Sequence, residues 1–136
     1  MYQKIFVAVD LEHEASAKKS IHAARQLGGE SAQYIIASVL PFSSSSMVSN
    51  YLPKDYRKRV KDEVHARLDE LVMTFQWQDN VKTEIYSGSI YEELTDEAKA
   101  LHCDVLLIGS GRNGHGLGGN AQRVAQFFNQ SVLIVR

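Results

Sequence analysis

Cysteine is almost absent from this 136-residue sequence, and the single one, Cys103, excludes an internal disulfide and a cysteine-based zinc cluster. It precedes Asp104 where an apolar strand is expected to begin, which suits a buried structural thiol better than a nucleophile. Proline occurs only at Pro41 and Pro53, the bounds of an irregular stretch holding four consecutive serines, Ser43 to Ser46. That stretch reads as a mobile surface loop or, alternatively, a binding lid. Long apolar runs are missing as well. Nothing approaches the ~20 apolar residues of a membrane span, and IFVAV at residues 5–9 is too short for a signal-peptide core and carries no cleavage pattern. The expected location is the cytoplasm, with no membrane partner. Nor is there an excess of one charge. A net charge of −1 offers no basic field for nucleic acid or an anionic lipid surface.

What is present is ordinary soluble composition with one local concentration of glycine. At 44% hydrophobic and 23% charged residues, the chain is long enough for one domain, 1–136, around a single core. Six of its nine glycines, Gly109, Gly111, Gly114, Gly116, Gly118 and Gly119, fall in one loop. VLLIG precedes that loop, AQRVAQFFNQ follows it, and SVLIV comes next. A strand, a glycine loop and a helix in succession form an anion site in α/β proteins. Glycines let backbone N–H groups approach a phosphate, and the helix start favours negative charge. A flexible connector is the alternative, because glycine serves turns equally well.

Periodicity supplies the rest of the architecture. Residues 4–9 (KIFVAV) read as a strand covered on both faces, and 33–40 (QYIIASVL) as the second strand. Between them Ala17, Ile21, Ala24 and Leu27 form a helical stripe, stopped by Gly28 and Gly29. After Pro53 a long helix sets Val60, Val64, Leu68, Leu71 and Phe75 on one face, and Trp77 is expected over its end. Residues 81–86 alternate as a partly exposed strand. Ser89 and Glu92 have capping-box spacing ahead of a helix carrying Ile90, Leu94, Ala98 and Leu101. Residues 105–109 form the fourth strand, 120–129 a short helix and 131–135 the last strand. Alternating strands and helices predict an open parallel sheet with helices on both faces. Ligands bind such sheets outside the carboxyl ends of the strands. Asp10, Val39 with Leu40, and Gly109 occupy those ends. The Asp10 carboxylate suits a ribose hydroxyl or an adenine amine, or else it caps the next helix.

MYQKIFVAVD at the start, the VLLIGS junction and the closing run from Gly118 to Arg136 resemble the universal stress proteins over the whole length of the chain. The resemblance implies a Rossmann-like sheet of five parallel strands in the order 3-2-1-4-5. It also implies a homodimer through residues 131–135 and, in one branch of the family, ATP or another adenine nucleotide as ligand. That branch carries Gly, two residues, Gly, nine residues, Gly, then Ser or Thr. Gly109 and Gly118 match the first and third glycines, and Asp10 and Val39 fall where the family contacts adenosine. The implied binding set is Asp10, Val39, Ile108, Gly109, Gly111, Gly118, Gly119 and Asn120. There are departures. Arg112 stands at the second glycine, eight residues rather than twelve separate Gly109 from Gly118, and Gly119 replaces the hydroxyl residue. Four missing residues remove up to ~13 Å of chain from the phosphate wall. Asn120 then serves as a substitute donor or as an N-cap.

The remaining candidates are weaker. His13, His22, His65, His102 and His115 lack metal-ligand spacing. Arg112 and His115 are placed to reach a phosphate or to be solvated loop residues, and Tyr51 and Tyr56 to cover a ligand or anchor the surface. Glu92 and Glu93 suit a helix start better than an acid–base pair. No nucleophile–base set can be assembled, so hydrolysis or transfer has the least support. A regulatory nucleotide binder, and a dimer of the same family that has lost nucleotide and acts through protein contacts, are the two main readings.

Overall fold

A computed structural model describes residues 2–40, 54–76, 80–111 and 116–136. Trp77, Arg112, Gly114, His115, Tyr51 and the serine stretch lie outside these. Five strands, β1 (Lys4–Ala8), β2 (Gln33–Leu40), β3 (Val81–Ser87), β4 (Val105–Gly109) and β5 (Ser131–Val135), alternate with four helices. The helices are α1 (Glu14–Gly28), α2 (Lys54–Met73), α3 (Ile90–Ala100) and α4 (Gly119–Phe127). All pairings are parallel and the order is β3-β2-β1-β4-β5, as expected.

The central strand explains why both faces must be covered. Successive side chains of a strand point to opposite faces, and in β1 every one after Lys4 is apolar and buried. Ile5 and Val7 pack into one cluster with Ile21 and Ala24 of α1 and Leu68 and Leu71 of α2. Phe6 and Ala8 pack into the other with Leu94 and Ala98 of α3 and Val124 of α4. The stripes read from periodicity are therefore the buried faces. Amphipathic helices of this length owe their stability mainly to such packing. At the amino edge Asp104 ties β1 to β4 by accepting hydrogen bonds from the N–H groups of Gln3 (2.8 Å) and Lys4 (3.1 Å). Among the described residues no helix is long and apolar enough to cross a membrane.

Several boundaries move. β1 ends at Ala8 because the chain turns at Asp10, and α4 spans Gly119–Phe127 rather than 120–129. α2 stops at Met73, leaving a half-buried Phe75 in the turn beyond it. The capping box does not form. Ser89 occupies the N-cap of α3 but its side chain makes no capping bond, while the Glu92 carboxylate accepts the Tyr91 hydroxyl instead.

Candidate functional site

Beyond β1 the Val9 N–H still donates to the Ala37 carbonyl (2.9 Å), and the chain then folds back on Asp10. One Asp10 carboxylate oxygen accepts the Glu12 N–H at 2.9 Å, and the other lies 3.0 Å from His13 Nδ1. The Asp10 carbonyl accepts the His13 N–H at 3.0 Å. The N-cap of α1 is His13, which makes no side-chain capping bond. Asp10 is thus a turn organiser rather than a helix cap, and its carboxylate stays exposed. An ionised carboxylate has about four acceptor sites, so capacity for a ligand donor remains. Arg67 of α2 braces the same turn by donating to the Leu11 carbonyl at 3.2 Å.

Val39 is the next-to-last residue of β2, two strand ends away from the glycine loop. Strand register sets it directly beside Tyr86 of β3, and both are half-buried on the α3–α4 side. Tyr86 was not among the sequence candidates. The alternation of VKTEIY puts it on that face, but only the β2–β3 register identifies its neighbour. Burial is the main reason that its phenol is pushed up to about 12, helped by Glu97, Glu84, Cys103 and Glu93. It therefore stays neutral near pH 7, an aromatic surface flanked by carboxylates.

The glycine loop leaves β4 between two helix starts. Ile108 is buried, and Gly109 closes the strand. A Cβ at Gly109 would lie 2.9 Å from the Ser16 hydroxyl oxygen, so the first turn of α1 abuts this position. The Ser110 N–H donates to the Val135 carbonyl at 2.9 Å. Gly111 takes φ +94°, and a Cβ there would meet Gly118 Cα at 2.9 Å and Gly118 N at 3.0 Å. The Gly118 N–H donates to the Ser110 carbonyl at 2.7 Å. The two ends of the loop are therefore pinched into a neck. Gly118 is the N-cap of α4, and its own N–H is already committed across that neck. Asn120 is the second helical residue, not the cap, and no side-chain capping bond forms at this helix. The Gln122 N–H is the first to bond within the helix, to the Gly118 carbonyl. The N–H groups of Gly119, Asn120 and Ala121 have no acceptor among the described residues. These orphan donors, with the positive end of the helix dipole, are what an anion would meet. Nothing lies within 4 Å of a Cβ built on Gly119, so the approach there is open.

Among the described residues no group of His, Cys, Asp and Glu is placed to hold a metal ion. Cys103 is buried, and burial pushes its thiol up to about 11, which suits a packing role. His65 is engaged by the Thr83 hydroxyl and carbonyl, joining α2 to β3. A cleft of ≈ 180 Å³ lies between α1 and α2, beginning at Leu11 beside the Asp10 turn. Another of ≈ 530 Å³ lies at the amino edge around Lys4, His102 and Asp104, opposite the glycine loop.

Comparison with known proteins adds an independent line. The model of the Universal stress protein family matches residues 1–136. Universal stress protein G of Shigella flexneri is 29% identical over 143 residues, covering 100% of both chains. A universal stress protein solved in complex with cAMP superposes with a TM-score of 0.69 at 23% identity, covering 99% of this chain and 97% of that one. The universal stress protein from Archaeoglobus fulgidus solved in complex with dAMP gives 0.55 at 15% identity, covering 99% and 98%. With a family match over residues 1–136, this chain belongs to the universal stress protein family.

Proposed function

We propose that this protein is a regulatory member of its family that acts as one domain in the cytoplasm. In this reading it binds an adenine nucleotide (ATP, ADP or AMP) at the carboxyl edge of β1, β2 and β4. Asp10 receives the ribose and Val39 lies beside the base. Ile108, Gly109, Gly111, Gly118, Gly119 and Asn120 form the phosphate side. The observation that carries this reading is that β1, which runs into Asp10, and β4, which ends at Gly109, are adjacent parallel strands, so both residues lie at one carboxyl edge, with unbonded N–H groups at the start of α4 beyond the glycine loop. The cAMP and dAMP complexes of the two structural relatives support it. Gly118 acts through the neck, since its N–H is already bonded to Ser110, and the phosphate falls to Gly119 and Asn120. Native mass spectrometry and thermal melts with millimolar ATP, ADP and AMP test the proposal. Ligand at 100 times its Kd stabilises a single-site protein by about 2.7 kcal/mol, and Asp10→Ala should reduce that shift. No co-purified nucleotide and no shift with any of the three would refute it.

A second reading concerns assembly. β5 is a sheet edge, and Leu133 is exposed on it at 38%. An apolar edge without Lys, Pro or a bulge invites pairing with another chain. We propose a homodimer along Ser131–Val135, whether or not nucleotide is bound. Sedimentation equilibrium at micromolar concentration checks it. A monomer mass near 15.2 kDa would refute the dimer, and dissociation by Leu133→Pro would place the contact on β5.

A further inference from the structure

The turn after β1 has a charge problem. Residues 10–14 carry three carboxylates, Asp10, Glu12 and Glu14, and His13 is the only member of that segment able to carry positive charge. An anionic group bound beside Asp10 meets the field of these carboxylates. Arg67, the cation braced against the turn from α2, points a guanidinium N–H at the Leu11 carbonyl.

We propose that His13 is a phosphate-contacting residue of the nucleotide site, an inference that rests on the nucleotide reading above. Three observations converge on it. The His13 ring is fixed through Nδ1, 3.0 Å from the Asp10 carboxylate, while its side chain remains 59% exposed. A ring held by a carboxylate at one nitrogen presents the other, Nε2, outward in a defined direction. Ser16 lies in the first turn of α1, the helix whose N-cap is His13, and its hydroxyl reaches the space over Gly109. His13 therefore stands at the start of α1, where the helix abuts the end of β4, from which the glycine neck leads to Gly118. With Nδ1–H given to Asp10 and Nε2–H given to a phosphate oxygen, the ring makes charge-assisted bonds at both nitrogens. Asp10 then has two roles, accepting from the sugar and orienting the ring that meets the phosphate.

The test compares AMP with adenosine, which lacks the phosphate, by isothermal titration calorimetry on wild type, His13→Gln and His13→Lys. The readout is the ratio of AMP to adenosine affinity. It should fall about tenfold in His13→Gln and recover in His13→Lys, which restores a cation. A ratio unchanged in His13→Gln overturns the proposal, because the role would then be confined to holding Asp10, which meets the sugar that both ligands carry; a fall that His13→Lys does not rescue overturns the charged contact as well. If neither AMP nor adenosine binds the wild type, the nucleotide reading itself fails, and this inference with it. A measurement without substitutions runs in parallel: AMP should shift the His13 ring proton resonances in the NMR spectrum well beyond the shift adenosine causes, because adenosine reaches the ring only through Asp10. Equal shifts with both ligands would also overturn the assignment.

Discussion

Three glycines around the start of α4 provide a graded test of the loop neck. Gly111→Ala places a Cβ at φ +94°, 2.9 Å from one Gly118 backbone atom and 3.0 Å from another. The left-handed backbone costs a non-glycine residue about 1–2 kcal/mol. Relieving the contact means separating the neck and losing the 2.7 Å bond from Gly118 N–H to the Ser110 carbonyl, worth about 0.5–1.5 kcal/mol. Replacing glycine also stiffens the unfolded chain, which returns about 0.4–1 kcal/mol. The net expectation is a loss of about 2 kcal/mol. Gly116→Ala, at φ +71° with nothing within 4 Å, carries the backbone term alone and should lose under about 1 kcal/mol. Gly119→Ala is helical and unobstructed, so it should gain about 0.5–1 kcal/mol. At roughly 3–5 °C per kcal/mol for a chain of this size, the three midpoints separate clearly in thermal melts. Urea titrations with a constant m-value confirm that stability alone has changed. If Gly111→Ala melts with the wild type, or Gly119→Ala falls as far as Gly111→Ala, the pinched neck is not the constraint described.

Other substitutions probe the core and the thiol. Leu68→Ala removes a fully buried side chain between α2 and the sheet and should cost about 2–5 kcal/mol in urea unfolding; a cost under about 1 kcal/mol would mean that α2 is not docked as described. Gly28→Ala drives a Cβ to 2.5 Å from Ile5 Cδ1 and 2.6 Å from the Tyr34 hydroxyl, an overpacking of about 1–3 kcal/mol that should appear as a lower melting midpoint. The Cys103 thiol is raised to about 11 in the fold from an ordinary value of 9.0, so above pH 9 the unfolded chain loses this proton more readily. Its contribution is complete below pH 9 and is lost as pH rises toward 11, and Cys103→Ala should flatten that part of the stability–pH profile. Cys103 should also react with a disulfide reagent only after unfolding; rapid reaction of the folded protein at pH 8 would contradict its burial.

The sequence by itself determined the elements, their alternation and the faces they bury, because these follow from local regularities. QYIIASVL and VLLIG are strands with the bounds expected from their apolar runs, and Ala17, Ile21 and Ala24 are buried as their spacing predicted. The family and the strand order were legible from the resemblance for the same reason, since strand sequences and glycine positions are linear patterns. Only the tertiary structure decided which donor meets which acceptor. Ser89 and Glu92 have the spacing of a capping box, yet Glu92 turns to Tyr91. Gly118 matches the family's third glycine by spacing, but only the fold shows its N–H held by the Ser110 carbonyl. Asp10 and His13 are three residues apart, but they meet only because the chain turns at Asp10 to bring α1 back over the sheet. Val39 and Tyr86 are 47 residues apart and meet through strand register alone. Patterning is set by the chain's own period, whereas a polar group takes whichever partner the packed backbone brings within about 3 Å, and no linear spacing encodes that choice.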